Sequence, residues 1–225
     1  FHKQELPEGK IKCGRLVKRA SGWYLCLFID AQRKPIEGNN RTAVGIDTGF
    51  ENLLSLSDGV KIAHPKELQN SIVRLGQAQR GGNKKLVARL HERIKNRRKD
   101  RNHKISLQLL KDYSFIAMSK DNVKGIVRVF GKSVASSGIA QLRSMLNYKS
   151  RAGGIQYVEV NSRNSTRICS ACGCLTGPQG RAGLKVRQWE CIECGTQHDR
   201  DINAAINTLT AAVGATVEME VRYVA

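Results

Sequence analysis

The sequence predicts an α/β fold, and its charge predicts a polyanionic partner. Short apolar runs that are typical of buried strands alternate with segments of helical periodicity along the 225 residues. Hydrophobic residues make up 40% of the chain, which is enough to build a packed core. Lys and Arg outnumber Asp and Glu by 38 to 19, a formal net charge of +19. This excess favours nucleic acid or an anionic membrane surface as the partner over the substrate of an ordinary metabolic enzyme.

The strands are predicted from apolar, β-prone runs that end at turn signals. The first two runs flank a turn at Ser21-Gly22 and form a hairpin, which a polar linker at 31–42 separates from the rest of the chain. The next three runs form a meander, and the last two stand alone between helical segments. The predicted strands are 10–17, 23–30, 43–47, 53–57, 60–63, 115–118 and 155–160.

Helical spacing predicts helices over 66–112, 140–150 and 201–212, the first of them broken by Gly81-Gly82. Residues 80–104 carry eleven Lys or Arg and only two acids. A solvated helix face normally mixes both signs of charge, so this imbalance favours contact with phosphates. Some of these side chains face solvent, because they cannot all reach one duplex. The candidate nucleic-acid contacts are Lys84, Lys85, Arg89, Arg93, Arg97, Arg98 and Arg101.

No membrane partner is expected. The longest apolar run, 23–29, is far shorter than the ~20 residues that span a bilayer. The first residues do not have the pattern of a signal peptide, and the chain starts with Phe1. We therefore expect it to be a piece of a longer protein that lacks its N-terminal part. Because four of the seven cysteines have metal spacing, we expect a reducing, intracellular compartment.

Two C-x-x-C motifs give the strongest chemical signal in the sequence. They are separated by eighteen residues, from Cys172 to Cys191, a spacing typical of zinc ribbons. Each motif directs two thiolates at one ion, and an intervening hairpin brings the two pairs together in a tetrahedron. A site closed by four thiolates is structural rather than catalytic. The predicted zinc ligands are Cys169, Cys172, Cys191 and Cys194.

Two carboxylates are candidate ligands for Mg²⁺ at a phosphodiester-cutting site. Asp47 ends an apolar strand and is followed by Thr48 and Gly49, which leaves room for a phosphate. Asp201 opens the last predicted helix. Each has a simpler interpretation, because Asp47 is also suited to cap a turn and Asp201 to cap a helix.

The motifs together resemble the C-terminal half of the transposon-encoded TnpB family, which is related to type V CRISPR effector nucleases. The resemblance covers residues 10–210 and is specific, because the motifs occur in the family's order with the family's separations. The matching segments are 44–49, 142–149, 158–160, the two C-x-x-C motifs, and 199–207.

The resemblance implies an RNase H-like (RuvC) mixed sheet with helices, interrupted by a zinc ribbon and preceded by the end of a β-barrel. It implies a guide RNA, a target DNA and a missing N-terminal lobe as partners, in a prokaryotic, nucleoid-associated, cytoplasmic protein. The expected divisions are barrel strands and linker at 1–42, the first part of the core at 43–166 with a basic helix at 84–111, the ribbon at 167–197, the last core helix at 198–212 and a tail at 213–225.

The sequence departs from the family at the middle catalytic acid. The family has a Glu at the end of a strand, and the aligned position here is Ser119, followed by Lys120. A hydroxyl does not supply the negative charge that two Mg²⁺ ions need, and a lysine repels them. Asp47 and Asp201 match the outer two acids, and Mg²⁺ held by these two alone is expected to bind weakly.

Three interpretations follow. The favoured one is an RNA-guided protein that binds target DNA without cutting it, as a repressor does. The second is an active Mg²⁺-dependent endonuclease whose third acid has moved to Asp121 or Glu159. The third is a zinc-ribbon module that binds DNA without a guide, which leaves the strand ending in Asp47 and the basic helix unexplained.

Overall fold

The structure is a computed structural model that describes residues 5–31, 36–38, 41–49, 51–64, 67–120, 138–161, 163–183 and 185–224. The chain forms two compact units. The first comprises residues 1–35 and 65–101, and the second comprises residues 36–64 and 102–225. This grouping differs from the expected divisions, because 65–101 joins the N-terminal hairpin. The expected divisions stay a prediction.

The first unit begins with the predicted hairpin. Strands β1 (Lys10–Arg19) and β2 (Gly22–Asp30) pair antiparallel, with Leu16 opposite Leu25 and Val17 opposite Tyr24. Gly22 has a φ of 148°, which suits the tight turn between the strands. Side chains alternate between the two faces of the hairpin, and Leu16 and Leu25 share one face with an exposure of about two thirds each.

The predicted helical segment is two helices in the structure. Helix α1 (Glu67–Arg80) and helix α2 (Lys84–Asp112) are separated at the two glycines, and Gly82 takes a left-handed conformation with a φ of 67°. The side-chain oxygen of Asn83 accepts a hydrogen bond from the backbone N–H of Leu86 and so caps α2. Leu90 is buried as its spacing predicted, whereas Leu86 is 43% exposed.

The second unit is built on one mixed sheet. Its strands lie in the order β5-β4-β3-β6-β7; the first three pair antiparallel, and β3, β6 and β7 run parallel. This order and direction confirm the mixed sheet that the resemblance implied. The five strands are β3 (Arg41–Asp47), β4 (Asn52–Leu56), β5 (Lys61–Ala63), β6 (Tyr113–Ser119) and β7 (Gln156–Val160).

Helices cover both faces of this sheet. On one face, Ile46 and Met118 pack with the end of α2 and with Leu142 of α3 (Ile139–Gly153). On the other face, Ala117 and Val160 pack with Ala212 of α5 (Arg200–Val224). Because strand side chains alternate, each residue of β3, β6 and β7 belongs to one of these two faces.

The cysteine-rich segment forms a small structure of its own within the second unit. Strands β8 (Gln188–Glu190) and β9 (Gln197–Asp199) pair antiparallel, and a short helix, α4 (Gly180–Gly183), lies between the two C-x-x-C motifs. Helix α5 begins directly after β9 and continues well beyond the predicted end at residue 212. No helix in the described residues has the length and apolar character needed to cross a membrane.

Candidate nuclease edge, metal centre and nucleic-acid interface

Asp47 and Asp201 lie at the same end of the packed pair formed by β3 and α5. The strand and the helix touch at Gly45, where an added Cβ would collide with the backbone of Ala205 and with Leu209. Asp47 follows Gly45 by two residues on the same strand face, and Asp201 precedes Ala205 by one helical turn. Both residues are largely buried, with exposures of 8% and 9%. We call this region the carboxyl edge and define it by Asp47, Ser119 and Asp201.

Ser119 is the neighbour of Asp47 on the adjacent strand. Strands β3 and β6 are parallel with Ile46 opposite Met118, so continuing the register sets Ser119 beside Asp47. Ser119 shares a face with Ala117, which packs toward α5, and its side chain is fully buried. The position beside Asp47 therefore holds a neutral hydroxyl.

Glu159 lies on the opposite face of the sheet. It pairs with Met118, and the hydroxyl of Tyr157 donates a hydrogen bond of 3.0 Å to its carboxylate on that face. Burial raises the pKa of Tyr157, and the charge of Glu159 raises it further. The structure does not bring Glu159 together with Asp47. Asp121, the other candidate for a relocated acid, lies outside the described residues.

Two arginines lie near residues of the carboxyl edge, and the sequence analysis missed both. The Arg187 guanidinium lies 2.8 Å from the Glu51 carboxylate and 3.7 Å from that of Asp201. The Arg143 guanidinium donates a hydrogen bond to the carbonyl oxygen of Ser119. These cations come from segments far apart in the chain, so no local pattern signalled them.

Asp199 directly precedes α5 and is held by a lysine of the sheet. One carboxylate oxygen accepts hydrogen bonds of 3.1 Å from the backbone N–H groups of Asp201 and Ile202, as a helix cap does. The other lies 2.7 Å from the Lys61 ammonium. Burial raises the pKa of Asp199, but Lys61 and the two N–H groups lower it by more, so it lies below the ordinary 3.8. The start of α5 is thus fixed to β5.

The four cysteines of the two C-x-x-C motifs form a group that could hold a metal ion. Their sulfur atoms all lie within 4.8 Å of one another, with Cys169 to Cys194 at 3.7 Å and Cys172 to Cys191 at 3.6 Å. A tetrahedron with Zn–S bonds of ~2.3 Å has sulfurs ~3.8 Å apart, so the observed spacing fits zinc. Within the described part of the chain, no other set of three or more His, Cys, Asp or Glu side chains meets this condition.

Polar groups contact three of the four sulfurs. The Thr176 hydroxyl lies 3.2 Å from Cys191, the Thr196 hydroxyl lies 3.2 Å from Cys194, and Nε2 of His198 lies 3.0 Å from Cys169. Thr176 is the main cause that lowers the pKa of Cys191 to about 6. Side chains that contact metal ligands in this way orient the ligands and support their charged form.

Two asparagines of α5 fasten the first C-x-x-C motif to the helix that carries Asp201. The Asn203 side chain donates to the carbonyl oxygens of Ser165 and Ile168 at 3.2 and 2.8 Å, and Asn207 donates to the same two at 2.8 and 2.7 Å. The Asn203 oxygen also accepts a hydrogen bond from the backbone N–H of Ser170. The segment around Cys169 is therefore held by α5 through five hydrogen bonds.

The candidate nucleic-acid contacts on α2 fall into two groups. Arg98 and Arg101 are half-buried, whereas the other five are exposed. The first turn of α2 contains no acid and begins with two lysines, which oppose the helix dipole and disfavour the helix by ~0.3–1 kcal/mol each. The exposed group is Lys84, Lys85, Arg89, Arg93 and Arg97.

Comparison with known proteins identifies the family. Residues 27–129 match the OrfB_IS605 family, described as a probable transposase, and residues 140–208 match the Cas12f1-like TNB domain. A candidate RNA-guided DNA endonuclease from Streptomyces pristinaespiralis is 34% identical over 227 residues. The chain belongs to the TnpB family. The alignment covers 93% of this TnpB-family chain and 55% of the Streptomyces protein.

A second relative and a solved structure agree with this assignment. InsQ from Escherichia coli K12, also described as a candidate RNA-guided DNA endonuclease, is 27% identical, over 90% of this chain and 57% of its own. The chain thus spans about half the length of these curated relatives. The cryo-EM structure of a Cas12f1–sgRNA–target DNA complex shares the fold, with a TM-score of 0.56 and 20% identity over 88% of this chain and 55% of that one.

Proposed function

We propose that this TnpB-family chain is part of an RNA-guided protein that binds its target DNA without cutting it, as a repressor does. The observation that carries the proposal is Ser119, a buried neutral residue beside Asp47 on the sheet face that packs against α5. A third carboxylate at this position would complete the set that two metal ions require.

The charge balance of the carboxyl edge supports the same proposal. Asp47 and Asp201 supply two carboxylates, whereas two-metal sites rely on several negative ligands to offset four positive charges. The Arg187 guanidinium is 3.7 Å from Asp201 and offsets part of the negative charge that remains. Mg²⁺ held by Asp47 and Asp201 is therefore expected to bind weakly.

A structural zinc ion is the second part of the proposal. Cys169, Cys172, Cys191 and Cys194 offer four sulfurs with zinc spacing, and a site closed by four thiolates leaves no open position for substrate or water. The ion would link the two C-x-x-C motifs and, through Asn203, support the start of α5.

Guide RNA and target DNA are the proposed partners. Because the target is DNA, we also propose that the protein is associated with the nucleoid in a prokaryotic cytoplasm. Two relatives are described as candidate RNA-guided DNA endonucleases, and the exposed arginines and lysines of α2 offer sequence-independent contacts to phosphates. In this division of labour, base pairing reads the sequence and the protein binds the backbone. The N-terminal lobe that the resemblance to the TnpB family implies is proposed as the remaining partner.

One assay tests the central claim. The full-length protein, purified with its co-expressed guide RNA, is incubated with matched and mismatched target DNA in Mg²⁺, and both binding and cleavage are recorded. We expect guide-dependent binding with intact DNA. Cleavage of matched DNA that Asp47→Ala abolishes would refute the proposal.

An active endonuclease is the alternative, with Asp121, two positions after Ser119 in the sequence, as its third acid. It predicts cleavage that both Asp47→Ala and Asp121→Asn abolish. A guide-independent zinc-ribbon module predicts equal affinity for DNA with and without the guide RNA, and the same assay measures this.

A further inference from the structure

The turn of the N-terminal hairpin is fastened to the basic helix within the first unit. The backbone N–H of Ser21 donates to one carboxylate oxygen of Glu92 at 2.8 Å, and the Ser21 hydroxyl donates to the other at 2.7 Å. The hydrogen bond from the Ser21 hydroxyl is the main cause that lowers the pKa of Glu92. One of the two acids in the basic stretch of α2 thus serves to hold the hairpin.

A groove opens beside this junction, with a volume of about 360 Å³. Its α2 side carries Arg89, Arg93 and Arg97, which follow one another on successive turns and are therefore ~6 Å apart along the helix axis. Asn96 adds an amide between them. All three arginines are exposed, so their guanidinium groups are accessible from the groove.

Tyr24 forms the hairpin side of the groove. Its hydroxyl is hydrogen-bonded to the Ser21 hydroxyl at 2.8 Å, and the Arg19 guanidinium lies over its ring, 4.7 Å from the centroid. These two contacts fix the ring in place while 39% of the residue stays exposed. The groove therefore combines a fixed aromatic wall with a row of guanidinium groups.

We propose that this hairpin–α2 groove, lined by Ser21, Tyr24 and the three arginines, binds the backbone of a single nucleic-acid strand. The inference rests on the proposed nucleic-acid function and specifies one site within it. Three arginines against one carboxylate give the groove a net positive charge, and planar guanidinium groups bind phosphate in bidentate geometry.

The groove selects a single strand rather than a duplex. The hairpin turn covers the face of α2 around Glu92, so this face of the helix is not available to enter a duplex groove. A volume of about 360 Å³ is near the lower end of small-ligand sites, which suits one nucleotide with its phosphate. Aromatic rings beside basic side chains are the usual surface for single-stranded nucleic acid.

Two double variants, each of which removes two positive charges from α2, test whether the groove binds a nucleic-acid strand. Arg93→Gln with Arg97→Gln removes two charges from the groove, and Lys95→Gln with Lys99→Gln removes two exposed charges at the same spacing on α2 that do not line it. The full chain, loaded with zinc, is titrated with labelled 20-nucleotide RNA, with DNA of the same sequence, and with the corresponding DNA duplex, over a range of salt concentrations. Thermal unfolding of both variants confirms equal folding.

We expect the groove variant to reduce the slope of log affinity against log salt by about 1.4 on single strands, because each phosphate contact contributes ~0.7. The lysine variant should change the slope by less than half as much. A reduced slope on single-stranded RNA alone, or on single-stranded DNA alone, also supports the site and identifies the kind of strand that occupies it. Rescue by Arg93→Lys with Arg97→Lys would show that charge is sufficient and that bidentate geometry contributes little to this binding.

Other results overturn the assignment. The groove would not be the binding site if the two double variants reduced the slope equally, or if the slope fell only with the duplex. Either result would leave nucleic-acid binding itself intact. A wild-type chain that binds none of the three probes would refute the proposed function together with the groove.

Discussion

Gly45 of β3 lies directly against the backbone of Ala205 in α5. A Cβ atom at Gly45 would overlap the Ala205 carbonyl oxygen and would approach the backbone nitrogen of Leu209 to 2.9 Å. Only a residue without a side chain allows the strand and the helix to come this close. The same contact sets Asp47 and Asp201 at one end of the pair, so the shape of the carboxyl edge depends on a missing methyl group.

Gly45→Ala should destabilise the second unit by ~1–3 kcal/mol, the usual cost of overpacking a filled interior. The added methyl group has backbone atoms as neighbours, and these cannot rotate away. Urea unfolding measures the loss. Gly214→Ala is the control, because a Cβ there meets nothing within 4 Å and alanine favours a helix by ~1 kcal/mol. Equal stability of Gly45→Ala and the wild type would contradict the close packing.

Asn203→Ala should weaken zinc binding by about 10- to 100-fold, the usual effect of removing a group that orients metal ligands. The variant leaves the Ser170 N–H without its acceptor and removes one of the two donors at the Ser165 and Ile168 carbonyls, so the segment before Cys169 loosens. Competition with a chromophoric chelator measures the affinity.

The control for that measurement is Asn147→Ala, at an exposed asparagine of α3. Its zinc affinity should equal that of the wild type. If Asn203→Ala also binds zinc as the wild type does, the hydrogen bonds from α5 do not support the metal centre.

The features that could be predicted from the sequence are those that depend on residues close together in the chain. Apolar, β-prone runs predicted β1 and β2 to within two residues at each end, and Gly81-Gly82 marked the break between α1 and α2. The spacing of the C-x-x-C motifs predicted which four sulfurs come together, because each motif fixes two of them locally.

Features that depend on register between distant strands were not predictable. Glu159 was a reasonable candidate from the chain alone, but its face is decided by pairing with Met118, which no local pattern fixes. Likewise Arg187 approaches Asp201 only because the cysteine-rich segment folds back on α5. Pairing across tens of residues is a tertiary property, and a pattern of period two does not specify it.

Asp199→Asn should lower the free energy of unfolding by ~0.5–1 kcal/mol. The change removes the ion pair with Lys61 and the favourable charge at the start of α5 but keeps the capping oxygen. Asp199→Ala should lower the free energy of unfolding by ~1–2 kcal/mol, because the helix cap is lost as well. In the Asp199→Asn background, Lys61→Met should have little further effect. Urea unfolding of the single and double variants measures this coupling.

The pH dependence of the Asp199 contribution has a definite sign. The pKa of Asp199 is lowered below the ordinary 3.8, so its charge stabilises the fold above pH 3.8, and the stabilisation is lost as the pH falls through the lowered value. The stability difference between wild type and Asp199→Asn should therefore stay constant from pH 8 to about pH 5.5. A difference that halves within this range would mean that the pKa is raised, contrary to the geometry.

Ser119→Glu should strengthen binding of Mn²⁺, a spectroscopic substitute for Mg²⁺, by about tenfold, equal to ~1.4 kcal/mol. The new carboxylate would stand beside Asp47 on the α5 face and supply the negative charge that the carboxyl edge lacks. Electron paramagnetic resonance titration of free Mn²⁺ measures the affinity without reference to cleavage. Adding Lys120→Asp removes a nearby cation and should increase the effect.

The matched control is Ser114→Glu, at an exposed position of the same strand whose parity turns it away from Asp47. This variant adds the same charge to β6 and should leave Mn²⁺ affinity unchanged. Because Ser119 is fully buried, thermal unfolding must first show that Ser119→Glu is folded. A folded Ser119→Glu variant with wild-type Mn²⁺ affinity would mean that residue 119 does not face the metal position, and the main support for a non-cutting protein would be lost.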